Sequence, residues 1–271
     1  MKKRWIRIIT AGMVAVASGC SGLPDTGIEQ QKEMPVFRPD VAEMAGMEAR
    51  NLTEDDTVGV YVTEMAADGN DGLLSGGNYA DNLPYLYGAE GLSYTEPVYF
   101  PIDKGDLKVY AYYPYIKEVE DITAVPVRVA QDQRSEKDFR AGDFLWARTT
   151  AVFGDREEVR LEFSHRMSRI VIELSADTTM NAEDAEVRIL NLCRKATANL
   201  STGSVTPLRD AVPEEITPRV MTSGGYEALI PPQHVNEMVK LIRVTTGGRS
   251  WSLVTPAGGY TFRAGETLTF K

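Results

Sequence analysis

The chain has 271 residues, of which 29 are basic and 39 are acidic, and its formal net charge at pH 7 is -10. An acidic surface repels phosphate backbones, which argues against nucleic-acid binding. With two cysteines, the chain cannot be a disulfide-rich scaffold, so its stability is expected to come from an ordinary hydrophobic core.

The N-terminus carries the signals of export. Residues 1–9, MKKRWIRII, form a basic head, and an apolar stretch from Ile8 to Ala17 follows it. This stretch is far shorter than the roughly 20 residues that span a bilayer. Basic head, short apolar run and small closing residues predict a secretory signal peptide over residues 1–19.

Cys20 directly follows the small residues Ala17, Ser18 and Gly19. This order resembles the lipobox of bacterial lipoproteins, although Ala17 stands where leucine is more usual. The resemblance implies cleavage between Gly19 and Cys20, lipidation of Cys20 with acyl chains such as palmitate, and anchoring in the outer membrane. The alternative is a soluble exported protein in which Cys20 is incidental.

Residues 20–50 are expected to form a tether, or pro-segment, between the lipid and the folded part of the chain. Their sequence is polar and irregular and contains Pro24, Pro35 and Pro39. Residues 40–50 fit a helical turn and a weak strand equally well.

From Thr57 onward, short apolar runs rich in Val, Tyr, Phe, Ile and Thr alternate with turn-forming residues, as in a succession of β-strands. The pair Gly247–Gly248 lies between two such runs and predicts a two-residue hairpin turn. No window of helical length keeps a 3.6-residue apolar period, so the pattern predicts an all-β chain folded as β-sandwiches. The predicted strands are 57–62, 97–102, 107–115, 143–149, 159–163, 169–174, 186–190, 226–230, 241–246, 250–254 and 267–270.

One region predicts a bent strand. Apolar side chains fall on odd numbers within Val159–Met167 and on even numbers within Ile170–Leu174. A shift of one residue moves every side chain to the other face of a strand, so a continuous strand needs a bulge or bend here. We expect the bend near Ser168–Arg169, close to a domain boundary.

Several motifs occur in a distinctive order along the chain. TVGVYV is followed by YTEPVYFP, VYAYYPY, DFLWART and VRLEFSHRMSRIVIEL, and YEALIPPQ and YTFRAGETLTF come last. This series, which extends over residues 34–271, resembles the fimbrillin and Mfa-like proteins of Bacteroidetes, the subunits, anchors and tips of type V pili. Its most specific parts are YYPY and LEFSHRMSRI.

The resemblance implies two transthyretin-like β-sandwich domains in tandem, expected here at residues 51–157 and 158–271. It also implies assembly by β-strand donation between fimbrial subunits. In the polymerising members, an arginine-specific protease removes the lipidated N-terminal segment, and a strand from a neighbouring subunit fills the vacated groove. Such a groove exposes apolar side chains and unpaired backbone groups, which an added strand covers.

Two arginines are candidates for that cleavage. Arg50 lies just before the first predicted strand, which is the position of the family's protease site. Arg38 is followed by Pro39, a poor context for trypsin-like cleavage. If neither is cut, the chain keeps its segment, as an anchor or tip does. The short ending after Arg263, one strand with no further donor, also favours an anchor, tip or accessory role.

The sequence offers no motif for catalysis, a cofactor or a metal ion, and we expect a protein that is not an enzyme. His165 lies on the apolar side of its strand and is expected to be buried and hydrogen-bonded. His234 comes directly after the residues PPQ and is expected in a loop. Adjacent strand residues point to opposite faces, so Ser164 and His165 cannot form a nucleophile–base pair. Cys193 is expected in the core. The tyrosines on both faces of 107–115 favour a core strand over a sugar-binding platform.

Two functions from different classes remain open. The first is a component of a type V-like cell-surface fimbria, anchored in the outer membrane by lipid, with other fimbrial subunits as partners and a role in adhesion. The second is a monomeric surface lipoprotein that binds glycans or another host or bacterial surface ligand.

Overall fold

Short β-strands account for about half of the residues that the computed structural model describes, which are 33–42, 52–65, 72–155, 158–175, 185–208 and 212–271. The all-β fold class is therefore confirmed. No helix within these ranges is long and apolar enough to cross a membrane. The elements are β1 (Phe37–Val41), β2 (Thr57–Glu64), β3 (Ala80–Gly88), β4 (Gly91–Tyr94), β5 (Leu107–Tyr113), β6 (Val125–Arg128), α1 (Glu136–Ala141), β7 (Leu145–Ala151), β8 (Val159–His165), β9 (Ser168–Ile172), β10 (Glu186–Leu192), β11 (Lys195–Asn199), β12 (Ser204–Pro207), β13 (Glu214–Ile216), β14 (Arg219–Val220), β15 (Tyr226–Ile230), β16 (Gln233–Val235), β17 (Lys240–Thr246), β18 (Arg249–Val254), β19 (Tyr260–Phe262) and β20 (Thr267–Phe270).

The first half of the chain builds a seven-stranded sheet with the order β1-β8-β7-β5-β2-β3-β4. The pairs in this sheet are antiparallel except the outermost one, in which β1 runs parallel to β8. One face of the sheet encloses a hydrophobic core that includes Phe37, Val60, Val109 and Phe163. A strand from near the N-terminus thus completes the sheet of the first half.

The second half builds two four-stranded sheets, β13-β10-β17-β18 and β14-β15-β9-β20, and the pair β16-β19. Their core is continuous with the other face of β5, where Tyr110 and Tyr112 are buried. Both faces of β5 are therefore covered, which confirms that its tyrosines are core residues.

Elements that precede β7 also join the second half. β6 pairs with β11, and β12-β11-β6 form a small sheet of their own. Helix α1 reaches the second half through Arg219, whose guanidinium lies 4.0 Å from the centre of the Phe139 ring and is ion-paired with Glu136. The division into domains at residue 157 stays a prediction.

The predicted break in the strand is confirmed, but it lies at residues 166–167 rather than at Ser168–Arg169, which belong to β9. β8 ends at His165 and β9 begins at Ser168, so the chain passes from the seven-stranded sheet to the β14-β15-β9-β20 sheet within two residues. In β8 the odd-numbered Leu161 and Phe163 are buried, whereas all five residues of β9 are buried. The change of apolar phase marks the point at which one strand leaves one sheet and enters the next.

The hairpin prediction is also confirmed: Thr246 pairs with Arg249, and Gly247 and Gly248 have φ values of 55° and 74°. The prediction of a strand at 97–102 is wrong, because these residues form no strand. Phe100 is buried, but its backbone N–H donates to Glu33 O at 2.9 Å and not to a neighbouring strand. The expectation of an irregular tether at residues 20–50 is wrong for Phe37–Val41, which form β1.

Candidate functional site

The outer strand β1 is set into the core by alternate side chains. Phe37 and Val41 are only 3% and 6% exposed, whereas Asp40 between them faces solvent. Pro39 shares their face and has no N–H to donate, which an edge strand tolerates better than a central one. The sequence FRPDV thus combines a buried face with an edge position.

β1 is held to β8 along its whole length. The parallel register aligns Phe37 with Val159 and Val41 with Phe163. At the two ends, Val159 N donates to Val36 O at 2.8 Å, and Ala42 N donates to Phe163 O at 2.8 Å. No strand among the described residues pairs with the other side of β1.

The ring of Phe37 enters an aromatic cluster under the sheet. It meets Tyr85 edge-on, with 5.6 Å between ring centroids, and Tyr85 lies 5.9 Å from Tyr94. Burial raises the pKa of Tyr85 to about 12, because the phenolate cannot be solvated there. Phe37 thus anchors β1 in a dry aromatic environment.

On its other side, the segment 33–42 contacts the opposite edge of the same sheet through side chains. Arg38 donates to Glu90 O next to β4. The same guanidinium forms a 2.7 Å ion pair with Glu158, the residue just before β8. The Tyr94 hydroxyl lies 3.6 Å from Met34 Sδ. The segment 33–42 therefore fills the seam between β8 and β4, the two strands that it separates.

The residues predicted to be processed fall mainly outside the described part of the chain. Gly19, Cys20 and Arg50 all lie there, so their roles stay predictions. Arg38, the alternative cleavage site, lies in the middle of β1, where its side chain is engaged on both sides.

The two histidines differ in their surroundings. His165 is buried, as predicted, and its Nδ1 lies 2.9 Å from Asp143 Oδ1, while its Nε2 has no hydrogen-bond partner among the described residues. His234 lies in β16 rather than in a loop, and its Nδ1 lies 2.9 Å from Thr261 Oγ1. Cys193 is only partly buried, so its predicted core position is wrong.

A buried ion-pair network lies beside the bend between β8 and β9. Glu227 accepts from Arg169 Nε at 2.7 Å and from Arg219 Nε at 2.5 Å, and the Glu227 and Arg169 side chains are nearly inaccessible to solvent. Two charge-assisted hydrogen bonds satisfy both oxygens of the carboxylate. The network joins three strands, β9, β14 and β15, and has the features of a structural element.

A surface cleft of about 400 Å³ lies beside the start of β3. Tyr79 and Tyr99 line it together with the polar residues Asn78, Asp81 and Glu96. The amide of Asn78 is already bonded within its loop, to Leu74 O at 2.8 Å. No group of three or more potential metal ligands occurs within the described ranges.

Sequence reasoning missed β1 as a structured element. A usable signal was present: Phe37, Pro39 and Val41 alternate with polar residues, as in a strand with one buried face. Pro35 and Pro39 obscured it, because proline is typical of a tether as well as of an edge strand.

Comparisons with known proteins give a consistent result. The fimbrillin-like family model matches residues 46–271. No curated protein matches the chain significantly. Among solved structures, a proposed cell adhesion protein of Bacteroides ovatus is 19% identical, with a TM-score of 0.68 over 89% of this chain and 93% of its own.

Two further structures have the same fold. A proposed cell adhesion protein of Bacteroides uniformis is 22% identical, with a TM-score of 0.59 over 81% of this chain and 88% of its own. A fimbrial protein of Bacteroides ovatus is 16% identical, with a TM-score of 0.54 over 88% of this chain and 48% of its own. The last protein is thus about twice as long as the part that this chain matches.

Proposed function

This chain belongs to the fimbrillin-like family, and we propose that it is a component of a cell-surface fimbria that assembles by strand exchange and acts in adhesion. The observation that carries the proposal is the position of β1. This strand forms a hydrogen-bonded ladder with β8 alone among the described strands, contributes two side chains to the core, and precedes the candidate cleavage site Arg50.

Loss of β1 would create an acceptor groove. The backbone N–H and C=O groups of β8 that face β1 would lose their partners, and the core around Leu161 and Phe163 would open. An incoming strand can pair with such an edge. Apolar donor residues at the positions of Phe37 and Val41 would each recover about 1.5–3 kcal/mol from burial.

Cleavage at Arg50 would release the whole of β1, because this residue lies between β1 and β2 in the sequence. Arg38 is a poorer substrate, since it is held within β1 by Glu158 and Glu90 and precedes Pro39. Mass spectrometry of protein released from the cell surface tests this point. We expect a mature N-terminus at Asn51 that Arg50→Lys abolishes and Arg38→Lys leaves unchanged. An N-terminus at Cys20 in all surface protein would contradict cleavage and indicate an anchor or tip.

We place the protein at the outer membrane before any cleavage, attached through lipid on Cys20 after removal of residues 1–19. Metabolic labelling with a palmitate analogue tests the attachment. Cys20→Ser should abolish the label, and the matched variant Cys193→Ser should keep it. Equal labelling of wild type and Cys20→Ser would refute lipidation at this residue.

The second candidate function is a monomeric lipoprotein that binds glycans, and the cleft beside Tyr79 is the feature that favours it. Immunogold electron microscopy of sheared surface material separates the two functions. Label along filaments, together with co-purification of other fimbrial subunits, supports the fimbrial role. Label on membranes alone, in cells that carry filaments, would favour the monomer or an anchor.

A further inference from the structure

One end of the seven-stranded sheet exposes large apolar side chains. Ile102 is 85% exposed, more than any other large hydrophobic residue in the described ranges, and Val36, Val152 and Met65 are 54%, 46% and 42% exposed. We call these four residues the apolar tip. A single exposed hydrophobic residue is ordinary, whereas several large exposed ones at one end of a sheet are typical of a contact surface.

The strand register places three members of the apolar tip in one row across the end of the sheet, with Asp106 between Met65 and Val152 and Glu158 between Val152 and Val36. Met65 lies beside Asp106, because its N–H donates to Asp106 O at 3.1 Å. The next residue, Leu107, pairs with Ala151, so Asp106 in turn lies beside Val152. Val36 continues that row beyond β8, because its carbonyl accepts from Val159 N.

Ile102 lies in the loop that leads into β5, on the same end of the sheet. The preceding Phe100 is bonded through its N–H to Glu33 O, which brings this loop beside the residues just before Val36. Phe100 and Phe153 pack edge-on with 5.5 Å between ring centroids, so the base of the loop is fixed against the end of β7.

The chain enters the folded unit at this end. β1 starts here, and residues 21–32, twelve in number, join Cys20 to Glu33. A stretch of twelve residues can span at most roughly 45 Å. A lipid on Cys20 would therefore hold the apolar tip close to the bilayer at a high effective concentration.

We propose that, in the uncleaved and lipidated protein, the apolar tip inserts into the interface of the membrane that carries the lipid. The proposal rests on lipidation of Cys20, which belongs to the proposed function. Exposed aliphatic side chains at an end held against a bilayer bury their surface in the acyl boundary, as amphipathic surface anchors do. The contact gives the protein a defined orientation, with the second half directed away from the membrane.

The charges around the apolar tip select the kind of lipid. Asp103, Asp106 and Glu158 lie at this end, although Glu158 is paired with Arg38 and Asp106 accepts from Phe153 N. Lys104 lies 5.6 Å from the centre of the Phe153 ring. Because carboxylates predominate, the apolar tip should favour zwitterionic lipid and be repelled by anionic lipid.

Spin labels on the lipidated full chain in phosphatidylcholine vesicles test the proposal. The background is Cys193→Ser, and the labels are attached to Ile102→Cys, Val152→Cys and, as a control, Met238→Cys, a residue that is 80% exposed in the second half. The measured quantity is the ratio of accessibility to oxygen, which dissolves in lipid, and to a water-soluble nickel chelate. We expect this ratio to be about tenfold higher at 102 and 152 than at 238, and to fall when phosphatidylglycerol is added.

The outcomes separate this inference from the function on which it rests. Equal ratios at all three positions, in protein that still floats with the vesicles, overturn the membrane contact and leave lipid anchoring intact. Labels at 102 and 152 that are shielded from both reagents indicate that another protein covers the apolar tip, which also overturns the contact. Protein that does not float refutes anchoring through Cys20 and the inference with it. If the accessibility ratios at 102 and 152 agree, the result cannot be an artefact of a single cysteine substitution.

Discussion

The attachment of β1 can be tested with the substitution Phe37→Ala. Truncation of a buried phenylalanine costs about 3–5 kcal/mol in a core. Ordering the five residues of β1 costs about 1–2 kcal/mol per residue in backbone entropy. Without the Phe37 ring, Val41 and the ladder hydrogen bonds are not sufficient to offset this entropy. We therefore expect β1 to detach while the remaining strands stay folded.

Hydrogen exchange followed by mass spectrometry measures this effect directly. A local destabilisation of about 3 kcal/mol corresponds to a roughly hundredfold faster exchange. We expect that acceleration for the amides of β1, for Ala42 N and for Val159 N, which are bonded across the β1–β8 pair. The amides of β5, at the centre of the sheet, should keep their protection.

The control is Val36→Ala, because this neighbouring side chain is mostly exposed and its loss should leave exchange unchanged. If Phe37→Ala accelerates exchange equally in β1 and β5, β1 is an inseparable part of the sheet, and the reasoning behind strand exchange fails. Unchanged exchange in β1 would show that Phe37 does not hold the strand in place.

Three further predictions concern the rest of the fold. Glu227→Gln removes the carboxylate charge that pairs with the buried Arg169 and should lower the free energy of unfolding in urea by about 3–5 kcal/mol. Gly203→Ala places a Cβ 2.5 Å from the Trp146 ring at a φ of 70° and should destabilise by about 1–3 kcal/mol, with a shift in tryptophan fluorescence. Because burial raises the pKa of Tyr85 from 10.0 to about 12, its contribution to stability is complete below pH 10 and is lost as the pH rises towards 12, as phenolate absorbance and circular dichroism should record.

Each of these predictions has a distinct control. Glu266→Gln removes an exposed carboxylate and should change stability little, so an equal loss in both variants would contradict the buried network. Gly154→Ala has open space around its Cβ at a similar φ of 79°. If it destabilises the protein as much as Gly203→Ala does, the cost comes from the positive φ and not from the contact with Trp146. Tyr85→Phe should reduce the loss of stability between pH 10 and 12, and an identical alkaline transition would refute the assignment.

Local patterns were sufficient where local chemistry decides the structure. The Gly247–Gly248 turn was predictable because both residues take positive φ values that glycine adopts without strain. The bend after β8 was predictable because a phase change in apolar residues has a single geometric meaning in a strand. Helix α1 was missed although Ser135 caps it by accepting from Asp138 N, a signal that SEKD contains.

Long-range pairing decided the elements that were mispredicted. β1 exists because β8, more than a hundred residues later, offers it an edge, and no local pattern contains that information. Conversely, Val98 and Phe100 are apolar and buried, yet their segment forms no strand, because burial alone does not supply a backbone partner. Of the candidate site, the sequence alone predicts processing at Gly19, Cys20 and Arg50, which lie outside the described residues, whereas the seam that β1 fills required the coordinates.

The parallel alignment of β1 with β8 has a mechanical consequence. β1 begins at the end where β8 begins, and β8 continues into β9 at its far end. A pull on the chain before β1, opposed by drag on the second half, acts along both strands in opposite directions. The hydrogen bonds between β1 and β8 are then loaded together in shear, and they do not break one after another from one end. If the chain is held from its N-terminal side, β1 would therefore detach only when several of these hydrogen bonds break at once.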